Sequence, residues 1–142
     1  MRRDALAIFR AGLKAADPAG AVSLHLSKLR PEQYERIFVV GAGKAGATMA
    51  RAVERVLDWR IDGGLINVKD GHTAKLRRIE LHECGHPIPD QRGVDGARRI
   101  AEIATKAGVE DLVLCLISGG GSALLPFPAE GSAISRTIFR VS

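Results

Sequence analysis

Aromatic side chains are scarce in this 142-residue chain, with four Phe, one Tyr and one Trp. Sequence-tolerant nucleic-acid binding relies on aromatic stacking platforms or clustered cations. The arginines, from Arg2 and Arg3 to Arg136 and Arg140, are instead spread along the chain. No nucleic-acid partner is therefore expected. Cysteine is nearly absent too: Cys84 and Cys115 cannot build a disulfide framework, and nothing points to an oxidising compartment. Long apolar runs are missing, the longest being the six residues Leu112 to Ile117, against the roughly 20 that a membrane helix needs. These absences lead to an expectation of a cytoplasmic protein with no membrane partner. The N-terminal stretch, MRRDALAIFRAGLKAAD, has some transit-peptide character, but Asp4, Asp17 and the lack of serines favour an ordinary first helix.

What is present fits a globular domain. Hydrophobic residues make up 46% and charged residues 26%, and a chain of this size buries roughly 68–70% of its unfolded surface. The formal net charge of +5 reads as a solvated surface that would also attract a phosphorylated small molecule.

Hydrophobic rhythm sets the architecture. Leu6, Phe9, Leu13 and Ala16 recur at helical spacing until Asp17-Pro18, and a second helix is expected from about Pro18 to Leu26 or Leu29. The run 35–40 (ERIFVV) predicts a strand leading into glycine, and 43–57 predicts a helix with Ala45, Met49, Ala52, Val53 and Val56 on one face. Residues 64–68 and 78–83 predict two more strands, and 90–107 a helix closed by Gly108. Residues 111–117 (DLVLCLI) read as a strand buried on both faces. Alternating strands and helices predict an α/β, Rossmann-like, three-layer domain with a mainly parallel sheet and helices on both faces.

Ligands of such sheets sit outside the carboxyl ends of the strands, where three loops stand out. Gly41-Ala42-Gly43-Lys44-Ala45-Gly46 fits G-x-G-x-x-G between a strand and a helix, and so suits phosphate. A dinucleotide site would also want an acid at the tip of the second strand. Asp62 precedes that strand and Asp70 lies 29 residues beyond Gly41, so neither fits well. Lys44 puts an ammonium inside the loop, which suits phosphoryl transfer better than hydride transfer. The G-x-x-x-x-G-K-[ST] spacing of a Walker A loop is absent.

The second loop, Gly85-His86-Pro87-Ile88-Pro89-Asp90, is stiffened by two prolines. Asp90 suits a helix cap, and His86 either meets a polar ligand or satisfies a loop carbonyl. The run His82-Glu83-Cys84-Gly85-His86 looks metal-like, but two histidines four apart on a strand are roughly 13 Å apart, too far for one zinc. The third loop, Ser118-Gly119-Gly120-Gly121-Ser122, is a natural backbone nest for an anion, and no catalytic triad order accompanies its serines.

GAGKAG after a strand, GHPIPD in mid-chain and SGGGSALL after another strand, in that order, resemble the N-terminal domain of the type II glycerate 2-kinase family. This family is associated with the MOFRL domain, and some members carry a hydroxypyruvate reductase label. The resemblance implies ATP-dependent phosphorylation of D-glycerate to 2-phosphoglycerate with Mg2+. It further implies Lys44 as catalytic cation, with Gly41, Gly43, Gly46, Ser118, Gly119, Gly120, Gly121 and Ser122 holding nucleotide, and His86 and Asp90 bordering the substrate. The metal ligands stay unassigned. Family members are about three times longer, so residues 1–142 are expected to form an incomplete N-terminal domain without the C-terminal MOFRL domain. The tail PFPAEGSAISRTIFRVS departs from the family pattern, most abruptly over 135–142. Half a cleft should catalyse little and could leave apolar surface for homo-oligomer formation. Two other readings remain open: an NAD(P)-dependent hydroxypyruvate reductase and a non-catalytic module that binds phosphate ligands.

Overall fold

The computed structural model describes residues 2–119 and 121–129. Helix α1 (Arg2–Ala15) is followed by α2 (Pro18–Leu26), whose N-cap Asp17 accepts from the amides of Ala19 and Gly20. Strand β1 (Ile37–Ala42) leads into α3 (Gly46–Leu57), β2 (Ile61–Lys69) and β3 (Glu80–Cys84). Helix α4 (Gln91–Lys106) and β4 (Leu112–Ile117) complete the regular elements. Short 3-10 turns occupy Pro31–Gln33, Asp58–Arg60 and Gly121–Leu124.

The four strands form one parallel sheet in the order β3-β2-β1-β4. This is the α/β architecture that the hydrophobic rhythm predicts. Period-two alternation divides the side chains of β1 and β2 between two layers. Ile37, Val39, Ile66 and Val68 pack with Val22 and Leu26 of α2 and with Ala50, Val53 and Leu57 of α3. On the other face Val40 and Leu65 meet Ile100 of α4. Ile37, Val39, Val53, Ile61, Leu65, Ile66 and Val68 are essentially inaccessible to water, and each such side chain contributes roughly 1.5–3 kcal/mol.

Three details differ from the sequence expectation. Strand β1 starts and ends two residues later than the apolar run suggests, because its ladder continues through Gly41 and Ala42 opposite Leu116 and Ile117. Strand β4 is half-exposed rather than buried on both faces, with Ile117 53% accessible. Among the described residues β4 pairs only with β1, and an apolar run does not encode how many neighbours a strand has. Helix α1 forms where expected, yet none of its residues is buried.

Polar pairs brace the sheet's amino edge. Arg36 grips Asp111 through two hydrogen bonds of 3.0 and 2.6 Å across the starts of β1 and β4. That guanidinium, helped by the Gly108 amide, holds the Asp111 carboxyl below its usual range. Asp62, at the start of β2, accepts from the Ile37 amide at 2.8 Å. Among the described residues no helix is long and apolar enough to cross a membrane.

Candidate functional site

The three loops singled out in the sequence all lie at the carboxyl rim of the sheet, and two of them interlock. Ser118, just past β4, accepts a hydrogen bond at its Oγ from the Ala45 amide at 3.0 Å, and its own amide donates to the Ala42 carbonyl at 3.2 Å. The two residues flanking Lys44 are thereby tied in place. On one side Ala45 holds Ser118, and on the other Gly43 donates its amide to the Asn67 carbonyl at 3.0 Å. Gly43 has φ +136°, and a Cβ there would fall 2.0 Å from Ser118 Oγ, so only glycine allows the loops to touch.

The other two glycines of the motif serve packing. Gly41 lies within β1, where a Cβ would meet the Leu116 carbonyl oxygen. Gly46 opens α3, and a Cβ there would sit 2.8 Å from a methyl of Ile66. Of these, the helix–strand contact at Gly46 is the use that the last glycine has in phosphate-binding βα turns.

Lys44 is exposed and makes no hydrogen bond or ion pair to a described residue. Its backbone stands beside Ser118 at the start of α3, where the Ala45 amide is taken by Ser118 Oγ and the Gly46 amide donates to the Gly43 carbonyl at 3.0 Å. Gly119 is open to solvent, Gly121 lies close to the Ala42 carbonyl, and Ser122 is exposed in the 3-10 turn. Gly120 lies outside the described residues.

Asp90 and His86 fare differently. Asp90 is the N-cap of α4: it accepts from the Gly93 amide at 3.1 Å and pairs with Arg92 at 2.6 Å. Burial raises the Asp90 carboxyl, while the amides of Gly85 and Gly93 and the Arg92 guanidinium more than offset this, leaving it lowered. Its charge is thus committed to the fold rather than held out to a ligand. Arg92 also grips Asp70 with hydrogen bonds of 2.7 and 2.9 Å, so the acid just beyond β2 is committed as well. His86, half-buried, has no hydrogen bond to a described residue and remains open to a polar ligand.

Sequence reasoning missed Asn67. This fully buried amide near the end of β2 donates from Nδ2 to the carbonyls of Gly93 (3.1 Å) and Leu124 (2.7 Å), while its Oδ1 has no partner among the described residues. Together with its backbone bond to Gly43, it fastens the first loop, the first turn of α4 and the turn after the third loop to one strand. A polar residue inside GLINV was the available signal. Cys84 lies beneath the same turn, with its thiol 3.7 Å from the Leu124 carbonyl, and burial pushes that thiol up to about 11. It is an inert packing group rather than a nucleophile.

The chain that builds this rim has known counterparts. A family described as a domain of unknown function, DUF4147, matches residues 4–138. The chain belongs to the DUF4147 family. It is 38% identical over 144 residues to a glycerate 2-kinase of Pyrococcus horikoshii, covering 94% of this chain and 32% of the relative. It is 42% identical over 121 residues to a putative hydroxypyruvate reductase of Agrobacterium vitis, covering 85% of this chain and 27% of the relative. The crystal structure of a glycerate kinase from Thermotoga maritima superposes with a TM-score of 0.82 at 34% identity, covering 93% of this chain and 31% of that one. The chain therefore spans about a third of the length of these relatives.

Mg2+ and ATP, which the resemblance implies, fit the described residues unequally. A glycine-lined bend, a helix start and an ammonium with no partner among the described residues suit phosphate groups. No group of three or more His, Cys, Asp or Glu among the described residues could hold a metal, and Asp70 and Asp90 share one partner, Arg92.

Proposed function

We propose that this chain supplies the nucleotide-phosphate half of a glycerate 2-kinase active site, in which ATP provides the phosphoryl group that converts D-glycerate to 2-phosphoglycerate. The carrying observation is the 3.0 Å hydrogen bond from the Ala45 amide to Ser118 Oγ, which fuses two glycine loops into one anion cradle beside Lys44. Gly43 and Gly46 hold the first loop, and Gly119, Gly121 and Ser122 border the cradle. The positive end of the α3 dipole favours bound phosphate, and the Lys44 ammonium neutralises charge gathering on the phosphoryl group as it moves. His86 is the group left to orient the acceptor molecule, whereas Asp90 acts through the α4 cap. Residues 1–142 form an N-terminal domain on this reading, and a partner domain closes the cleft. Chemistry that depends on positioning from several directions should be negligible in the chain alone.

The reductase reading has less support. An NAD(P) site wants an acid free at the tip of β2, but Asp62 lies at the opposite end and Asp70 is held by Arg92. ATP binding followed by amide NMR shifts at 41–46 should be weak and saturable and drop at least tenfold in Lys44→Ala. ADP release with D-glycerate and Mg2+ should stay at background. Unchanged ATP binding in Lys44→Ala, or NADH oxidation on hydroxypyruvate, would overturn the proposal.

A further inference from the structure

Cations scattered in the sequence are gathered by the fold on a face away from the loops. Arg51 and Arg55 project from α3, one helical turn apart, and Lys75 and Arg77 come from the segment 70–79 that crosses beside it. With Glu54 and Leu76 they line an open groove of about 470 Å3.

The acids nearby are already engaged. Glu54 spends its carboxylate on three backbone amides: Arg77, Arg78 and Ile79 donate to it at 3.0, 2.7 and 3.1 Å. Asp58 pairs with Arg77 at 2.7 Å. Arg51, Arg55 and Lys75 have no ion pair or hydrogen bond to a described residue, so with Arg77 four cations face one concavity against the single lining carboxylate of Glu54. Like charges one turn apart on a helix repel each other, and a bound anion relieves that repulsion. Glu54 meanwhile fixes the backbone that presents Lys75 and Arg77, so this wall of the groove is built rather than incidental.

We propose that this groove binds a compact phosphate-bearing anion, a di- or polyphosphate group of a small molecule, at a site separate from the glycine loops. Cations on two walls suit adjacent phosphates, with the arginine fork able to take two oxygens at once. None of the lining residues is aromatic, so stacked bases find no platform and a nucleic-acid strand is the weaker fit. Arg51 and Arg55 lie five and nine residues beyond Gly46, roughly 7 and 14 Å further along α3. A ligand there would share that helix with the Lys44 loop without touching it, as an effector would.

The test isolates the groove from the loops. Tripolyphosphate is titrated calorimetrically into the Lys44→Ala chain and into the same chain carrying Arg51→Ala and Lys75→Ala. Both added changes fall on exposed side chains, and far-UV circular dichroism checks that the fold is kept. Saturable binding in Lys44→Ala that weakens at least tenfold in the triple variant is expected, with amide NMR shifts at 51, 55 and 75–77. Retention of binding in Lys44→Ala/Arg51→Lys/Lys75→Arg is also expected. Equal affinity in the triple variant, or shifts confined to 41–46 and 118–122, would overturn the groove while leaving the kinase reading intact. Single-stranded DNA that binds more tightly with each added length, while tripolyphosphate does not saturate, would overturn the compact-anion assignment. Loss of ATP binding at the loops with the groove unaffected by Lys44→Ala separates the two proposals.

Discussion

Helices α1 and α3 look alike on paper and behave oppositely. Each places apolar side chains three and four residues apart with cations on the other side. Yet α3 buries Ala47, Ala50, Ala52, Val53 and Leu57, while α1 buries nothing and leaves Ile8 and Phe9 73% and 62% accessible. The difference lies in what each helix follows. Helix α3 emerges from β1 through a loop pinned by Ser118 and Asn67, so its apolar stripe arrives over Ile66 and Val68. Helix α1 precedes the sheet and is joined to it only through α2. Amphipathicity therefore specifies that a face can be covered, and topology decides whether it is. In a helix of 14 residues, propensity alone gives marginal stability, so α1 should fray first in hydrogen exchange.

Breaking the contrast should begin in α3. Val53 is wholly inaccessible, and Val53→Asp would bury an unpaired charge between α3 and the sheet. A loss of more than about 4 kcal/mol, read as an unfolded circular dichroism spectrum at 25 °C, is expected.

One residue along, Glu54 sharpens the picture through pH. Burial raises this carboxyl, but the amides of Arg78, Arg77 and Ile79 lower it further, for a net depression. A carboxyl whose folded value lies below its unfolded one stabilises the native state above about pH 4.3, and that contribution disappears as pH falls through the lower folded value. Glu54→Gln should cost about 2 kcal/mol at pH 7 in urea denaturation and flatten the acid limb of the stability curve below about pH 4.5.

The smallest effect belongs to α1. Phe9→Ser with Leu13→Ser should change the chain's stability by less than about 0.5 kcal/mol, because neither side chain leaves water on folding. A larger loss would show that α1 is covered in solution.

Local signals made much of the molecule legible. Glycine and proline punctuation marks the three loops, and apolar runs mark the strands within about three residues, the start of β2 at Ile61 being the widest miss. Asp90 could be read as a cap because the signal lies within three residues of its partner. The unforeseen features join distant residues. Asn67 reaches 26 and 57 positions ahead to Gly93 and Leu124, Ser118 meets Ala45 from 73 away, and Arg36 finds Asp111 across 75. Glu54 resembles any solvated helix charge until the segment 77–79 folds over it. The motif glycines also needed coordinates: only then do Gly41 and Gly46 separate, as packing positions, from Gly43, which makes the loop contact.

Strand β4 has a practical consequence. Among the described residues its outer border pairs with no strand, and with neither a proline nor a lysine in its six residues it is a template on which another strand can add its own ladder. Two molecules meeting there would zip together, and each meeting consumes two copies. Loss of clear solution on storage should therefore accelerate with the square of the concentration, and dilute stocks should outlast concentrated ones.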